Sequence, residues 1–152
     1  MIKKAGEMHD ELIEDLKKLI PLDNFSTQCA FQPIATVVSE HSVQRGGNVL
    51  GIDKSEDALL WLITGATKTP EQHAIMRERL MSFSTMLEEF AESHSIRIDW
   101  QYLNYVHGSQ NPLKSYGKEN VHFIRKVAAK YDPSGIFQKK IVSGWKISDV
   151  VT

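Results

Sequence analysis

The sequence predicts an α+β fold: an antiparallel sheet of few strands, covered on one face by amphipathic helices, with the other face lining a ligand cavity or a dimer interface. Three observations predict it. Two long stretches, residues 5–20 and 70–93, carry apolar residues at helical spacing. Short β-forming runs lie between and after them, too few for a large sheet. The helices suffice to cover only one sheet face.

The elements follow in order. Ala5, Met8, Leu12, Leu16, Leu19 and Ile20 form one apolar stripe, widened by Ile13, which Pro21 stops. Phe25 to Gln32 reads as a strand ended by Pro33. Ile34, Val37, Val38 and His41 recur at helical spacing up to Gly46-Gly47, although their β-branched content leaves a strand open. Val49 to Ile52 and Ala58 to Thr64 read as strands, the second so apolar that it should be central and covered on both faces. Thr69-Pro70-Glu71-Gln72 is a helix start: Thr69 can cap, Pro70 fits the first turn, and Gln72 can reach back. Met76, Leu80, Phe83, Leu87, Phe90 and Ala91 continue the apolar face to about Ser93. Trp100 to Val106 reads as a strand with Trp100, Tyr102 and Asn104 on one side and Gln101, Leu103 and Tyr105 on the other. Val121, Ile124, Val127, Ala128 and Tyr131 build a last helix that Asp132-Pro133-Ser134-Gly135 ends.

With 152 residues the chain is expected to be one domain, 1–152, able to bury roughly 70% of its unfolded surface. A formal charge of -1 gives no reason to expect nucleic acid or an anionic membrane as partner, and points to a small uncharged ligand. The single cysteine, Cys29, excludes an internal disulfide, and the Lys3-Lys4 start has no apolar signal core, so a cytoplasmic location is expected. The apolar run Ala58 to Ile63 is far short of the ~20 residues of a membrane helix. The six histidines show neither paired spacing with carboxylates nor a cysteine cluster, so no metal is expected.

The segment from Trp100 to Phe137 contains Tyr102-x-Asn104-Tyr105, then Tyr116-Gly117, then Lys130-Tyr131-Asp132-Pro133-x-Gly135-x-Phe137. Upstream stand Phe31-Gln32-Pro33 and Gly46-Gly47-Asn48-Val49-Leu50-Gly51. In this order they resemble the C-terminal, substrate-binding part of berberine-bridge-enzyme-like FAD-linked oxidoreductases of filamentous fungi, in the vanillyl-alcohol-oxidase superfamily. In that family the flavin-binding half lies N-terminal to this region. Nothing here supplies a phosphate cradle, so no FAD is expected on this chain. Arg45-Gly46-Gly47-Asn48 is similar to a flavin-attachment motif but lacks its histidine. The sheet face that looks onto flavin and substrate in the family would be open, and a homodimer is the simplest cover.

The resemblance makes Tyr102, Asn104 and His107 the candidate catalytic residues, with Gln32, Asn48 and Tyr105 as substrate-binding candidates. A phenol can donate, accept or take a proton, and a carboxamide offers a donor and an acceptor in fixed geometry. In the family a tyrosine of this strand is associated with substrate deprotonation and the asparagine lies near the flavin. His107 stands where relatives carry an acidic residue, and an imidazole exchanges protons near neutral pH. Gln32 and Asn48 could stabilise charge on a carbonyl. Each has a structural alternative: sheet packing for Tyr102, Asn104 and Tyr105, an idle loop position for His107, a tight turn for Asn48, and backbone satisfaction for Gln32. His41 reads as a packed histidine, and Cys29, in an apolar strand, as inert.

The expected function is that of a small cofactor-independent enzyme of secondary metabolism. It would bind a polyketide- or alkaloid-like intermediate and direct a non-redox cyclisation (pericyclic, Diels–Alder-like), isomerisation or dehydration. Two other readings stand beside it: the substrate-binding half of a split FAD-dependent oxidoreductase that docks on a separate flavin-binding chain, and a small-molecule binding module without turnover.

Overall fold

The computed structural model describes residues 1–52 and 56–151. The chain divides into two compact units: unit 1 comprises Met1–Ile34 and Ala58–Ile98, and unit 2 comprises Ala35–Asp57 and Asp99–Thr152.

Unit 1 holds helices α1 (Ile2–Leu19) and α3 (Pro70–Ser93) and strands β1 (Phe25–Ile34) and β2 (Ala58–Thr67). The strands pair antiparallel from Phe25 opposite Thr67 to Ile34 opposite Ala58. The stripe read from the sequence is the buried one except at Leu19, which is exposed: Ala5, Met8, Leu12, Leu16 and Ile20 join Met76, Phe83 and Leu87 of α3 in one core. Phe25, Cys29, Phe31, Trp61 and Ile63, at alternate strand positions, close the core from the sheet side. The α+β class and the two-stranded antiparallel sheet with helices on one face are as expected.

Gly65 lets α3 approach β2 closely: a Cβ there would lie 2.7 Å from Met76 Sδ and would force that side chain to shift. The Trp61 and Phe83 rings meet edge-on at 6.3 Å. His9 Nε2 and Thr27 Oγ1, 3.0 Å apart, bind the helix to β1. Thr69 caps α3 by accepting from Gln72 N at 3.3 Å, but the Gln72 side chain does not complete the reciprocal bond: its Oε1 is buried without a partner.

Two strand expectations in unit 1 need correction. β1 does not end at Gln32 but runs through Pro33 to Ile34. A two-stranded sheet leaves each strand one unpaired edge, where a proline sacrifices no ladder bond. β2 is not central, because among the described residues β1 is its sole sheet neighbour. Its dense apolar run therefore reflects side chains on both faces of a narrow sheet, not burial between two neighbouring strands.

Unit 2 holds α2 (Thr36–Gln44), α4 (Pro112–Ser115), α5 (Lys118–Tyr131) and α6 (Ile136–Lys139), with 3₁₀ turns at Leu103–Tyr105 and Ile147–Asp149. Ala35 cannot cap α2 with its side chain, and the Asp57 carboxylate does so from a distance, accepting from Thr36 N at 2.8 Å. The core gathers Leu113, Tyr116, Val121, Ile147 and Val150, with Trp100, Ile124 and Ala128 packed against it. Val127 and Tyr131, expected on the buried face of α5, are instead exposed. Among the described residues no helix is long and apolar enough to cross a membrane, and no cluster of side chains could hold a metal ion.

Candidate functional site

The segment expected as a strand from Trp100 to Val106 is not one. Tyr102 is extended, and Tyr105 N then donates to Tyr102 O at 2.9 Å, closing a 3₁₀ turn. Two side chains compete successfully for the backbone N–H groups a strand would have used. Ser115 Oγ accepts from Gln101 N at 3.0 Å, and Tyr116 Oη accepts from Leu103 N at 3.3 Å. The curl defeats the expected alternation, so Tyr102 and Tyr105 meet on one side with rings edge-on at 5.0 Å. Trp100 stacks on Tyr102 at 6.0 Å, and its indole N–H is anchored on Leu50 O at 2.6 Å.

On this shelf Asn104 Nδ2 donates to Tyr102 Oη at 3.0 Å. With the phenol oxygen accepting from the amide, the phenol hydrogen has to point elsewhere, free to be donated to a guest. The pair is not enclosed: Tyr102 is half-buried, Asn104 and Tyr105 are exposed, and Tyr105 keeps 40% of its surface in contact with solvent.

His107 follows the turn but does not face the pair. Its Nδ1 accepts from Ser109 N at 3.2 Å and lies 3.0 Å from Ser109 Oγ, so the ring organises its own loop. Its backbone N donates to Gln110 Oε1.

The second element is a cleft of about 340 Å³, lined by Val43, Asn48, Gly51, Ile52, Tyr116 and Asn120 among others. The stretch Val49 to Ile52, expected as a strand, is a turn. Asn48 makes it one, with Oδ1 accepting from Leu50 N at 2.9 Å and Nδ2 donating to Ser42 Oγ at 2.8 Å. Asn48 thus serves the turn while lining the cleft.

Tyr116 joins the two elements. Its hydroxyl holds the aromatic turn, and its backbone carbonyl accepts from Asn120 Nδ2 at 2.9 Å and abuts Gly51. Burial pushes the Tyr116 phenol above its ordinary range, outweighing the opposing bond from Leu103. It therefore works as a neutral strut. Gly117, at φ 90°, is the α5 N-cap. The strut role of Tyr116 and Ser115 left no signal in residue spacing, because it depends on the chain curling back.

Gln32 lies in unit 1, exposed on the sheet face away from the helices, opposite Leu60. His41, expected to be packed, is exposed on α2. Cys29 is half-buried, and burial pushes its thiol up, consistent with an inert side chain.

The cleft's volume lies at the small end of organic-ligand sites, and Lys118 and Glu119, of opposite charge, stand together at its helix-terminus wall. The two elements are an aromatic shelf carrying the Tyr102–Asn104 hydrogen bond and a cleft lined in part by the amides of Asn48 and Asn120.

No family model and no solved structure matches the chain. It is similar to fungal enzymes that use FAD. It is 29% identical over 150 residues to the FAD-dependent monooxygenase drtC of Aspergillus calidoustus, a match covering 99% of this chain and 29% of that protein. It is 37% identical over 119 residues to the FAD-dependent monooxygenase sdcF of Emericella nidulans, covering 76% of this chain and 24% of that protein. A third relative, the bifunctional solanapyrone synthase of Alternaria solani, is 26% identical over 121 residues, 76% of this chain and 22% of that protein. The likeness supports kinship with FAD-dependent oxidoreductases. The chain spans less than a third of the length of each of these relatives.

Proposed function

We propose that these residues form the substrate side of a secondary-metabolism oxidoreductase of the berberine-bridge type, whose flavin is carried by polypeptide outside them. The observation that carries this reading is the Tyr102–Asn104 pair, half-buried at Tyr102 and exposed at Asn104, on its aromatic shelf. A hydrogen-bonded phenol orients a substrate effectively only in a site that excludes water, so a further wall has to close over it. The relatives, FAD-dependent and more than three times as long as the matching stretch, supply the precedent for such a wall. Tyr102 would take or give a proton at its Oη, Asn104 would fix the direction of that hydroxyl, and Tyr105 and Trp100 would bind an aromatic or polyene guest by stacking. Asn48 would bind through the cleft. His107 would contribute at the periphery, by moving a proton to solvent through Nε2.

A second reading is favoured by the likeness to the solanapyrone synthase. The same shelf would fold a reactive polyene toward a cyclised product without electron transfer, in a homodimer that closes the site by symmetry.

The test replaces the matching stretch of the Aspergillus calidoustus monooxygenase with this chain. The chimera should hold flavin and reduce it with that enzyme's own substrate. Tyr102→Phe should slow flavin reduction by about 10²-fold or more with flavin content unchanged. A flavin-loaded chimera indifferent to Tyr102→Phe and Asn104→Ala would overturn the assignment, and flavin-independent cyclisation by this chain alone would establish the second reading.

A further inference from the structure

Helix α5 is two-faced in a way its sequence disguises. Val121 is fully buried, and Ile124 and Ala128 pack beside it on the unit 2 core. Phe123, Val127 and Tyr131 recur four residues apart on the outer side, 55%, 39% and 73% exposed. The chain then turns through Asp132, whose two carboxylate oxygens accept from Ile136 N and Phe137 N at 2.8 and 2.9 Å. That cap fixes two more exposed apolar side chains, Ile136 and Phe137, immediately after the stripe. An isolated exposed leucine or valine is ordinary, but an exposed row of Phe, Val and Tyr at helical spacing, followed by Ile136 and Phe137, forms a contiguous apolar patch that calls for an explanation.

Its charge is as uneven as its polarity. Residues 118–142 carry six basic side chains, at 118, 125, 126, 130, 139 and 140, against two acidic ones, Glu119 and Asp132. Asp132 is spent on the cap, and Lys130 lies 5.0 Å over the Tyr131 ring, within the row itself. Of the basic side chains, Lys126 and Lys130, three residues on from Phe123 and Val127, are exposed beside the row, whereas Arg125 donates to Val150 O and Lys118 lines the cleft. A second copy set symmetrically on it would oppose lysine to lysine. A partner with an apolar surface edged by carboxylates would not.

We propose that this outer face of α5 is where the flavin-binding polypeptide docks. The inference rests on the two-part reading above and adds the place of contact, the apolar row, and the acidic character of the partner. The relatives favour that occupant over a lipid surface, because in each of them more than two thirds of the molecule lies outside the stretch this chain matches.

The experiment uses the same full-length chimera with Phe123→Asp and Val127→Asp together, and separately with Lys126→Glu and Lys130→Glu. Both pairs are exposed, so the isolated chain carrying them should keep its circular dichroism and melting temperature. In the chimera the aspartate pair should raise the rate of flavin loss on dialysis by about tenfold or more, and the charge reversal by less, with an effect that fades in high salt. A chimera that holds flavin and turns over, yet tolerates both pairs, would overturn the docking face and leave the two-part reading standing. A chimera without flavin would overturn both. A dimer of the isolated chain, or its binding to phosphatidylserine vesicles, abolished by the aspartate pair would assign the face to self-association or to lipid and overturn the proposal.

Discussion

Replacing Gly51 by alanine should disrupt the joint between the cleft and the aromatic turn. Gly51 has φ 68°, and a Cβ there would stand 2.7 Å from Tyr116 O, 3.2 Å from its carbonyl carbon and 3.3 Å from its Cα. These are backbone atoms at the start of α5, and they cannot swing aside as a side chain would. Left-handed backbone costs a non-glycine residue about 1–2 kcal/mol, and forcing an extra methyl into a filled space costs about 1–3 kcal/mol. The sum, about 2–5 kcal/mol, corresponds to a fall in the melting temperature of unit 2 of roughly 8–20 °C at about 4 °C per kcal/mol. Gly47→Ala is the control, because its φ is 85° but nothing lies within 4 Å of its Cβ position. It should lose the backbone contribution alone, about 1–2 kcal/mol. Thermal unfolding followed by near-ultraviolet circular dichroism, which reports Trp100 and Tyr116, measures both. Gly51→Ala melting within about 2 °C of Gly47→Ala would refute the close approach on which the joint depends.

Thr69→Ala removes the bond to Gln72 N that starts α3 and should cost about 1 kcal/mol in urea unfolding, whereas Thr69→Ser should cost less than half of that. The Cys29 thiol, pushed up by burial, should react with iodoacetamide more slowly in the folded chain than in urea at about pH 8.5, near a thiol's ordinary value. The linked effect on stability has a definite sign. The folded chain holds the thiol proton to higher pH than the unfolded one, so this contribution is full below the thiol's ordinary value and is lost as pH rises past it. Cys29→Ala should remove that part of the alkaline decline, and a decline of unchanged size would contradict the assignment.

Unit 1 was legible because its signals are periodic. Leu16 and Phe83 sit in long runs where a 3.6-residue spacing has no rival reading, and Thr69-Pro70 marks its helix start without ambiguity. The aromatic segment was misread because Tyr102-Leu103-Asn104-Tyr105 has strand composition. Its geometry is set by Ser115 and Tyr116, more than ten residues later, whose oxygens take the N–H groups of Gln101 and Leu103. No local pattern encodes that competition. The same holds for Val49 to Ile52, where one asparagine side chain turns an apolar run that reads as a strand. Val127 and Tyr131 failed for a different reason: their spacing was read correctly, but apolar spacing does not say whether a face is buried in this chain or against another.

The candidate site was legible as composition and not as arrangement. The pairing of Asn104 with Tyr102 joins two residues singled out in advance, although strand alternation predicted the same side for a different reason. His107, for which a loop position stood beside the catalytic reading, closes its own turn on Ser109. The Asn48 turn alternative is the one realised, with the cleft as an addition that only folding reveals.

The account turns on whether these residues hold a coenzyme or face one held elsewhere. The direct measurement is the flavin-to-protein ratio of the purified chain after incubation with excess FAD and gel filtration. The account predicts a colourless protein whose ratio stays near zero, while a stoichiometric yellow complex formed by this chain alone would contradict it.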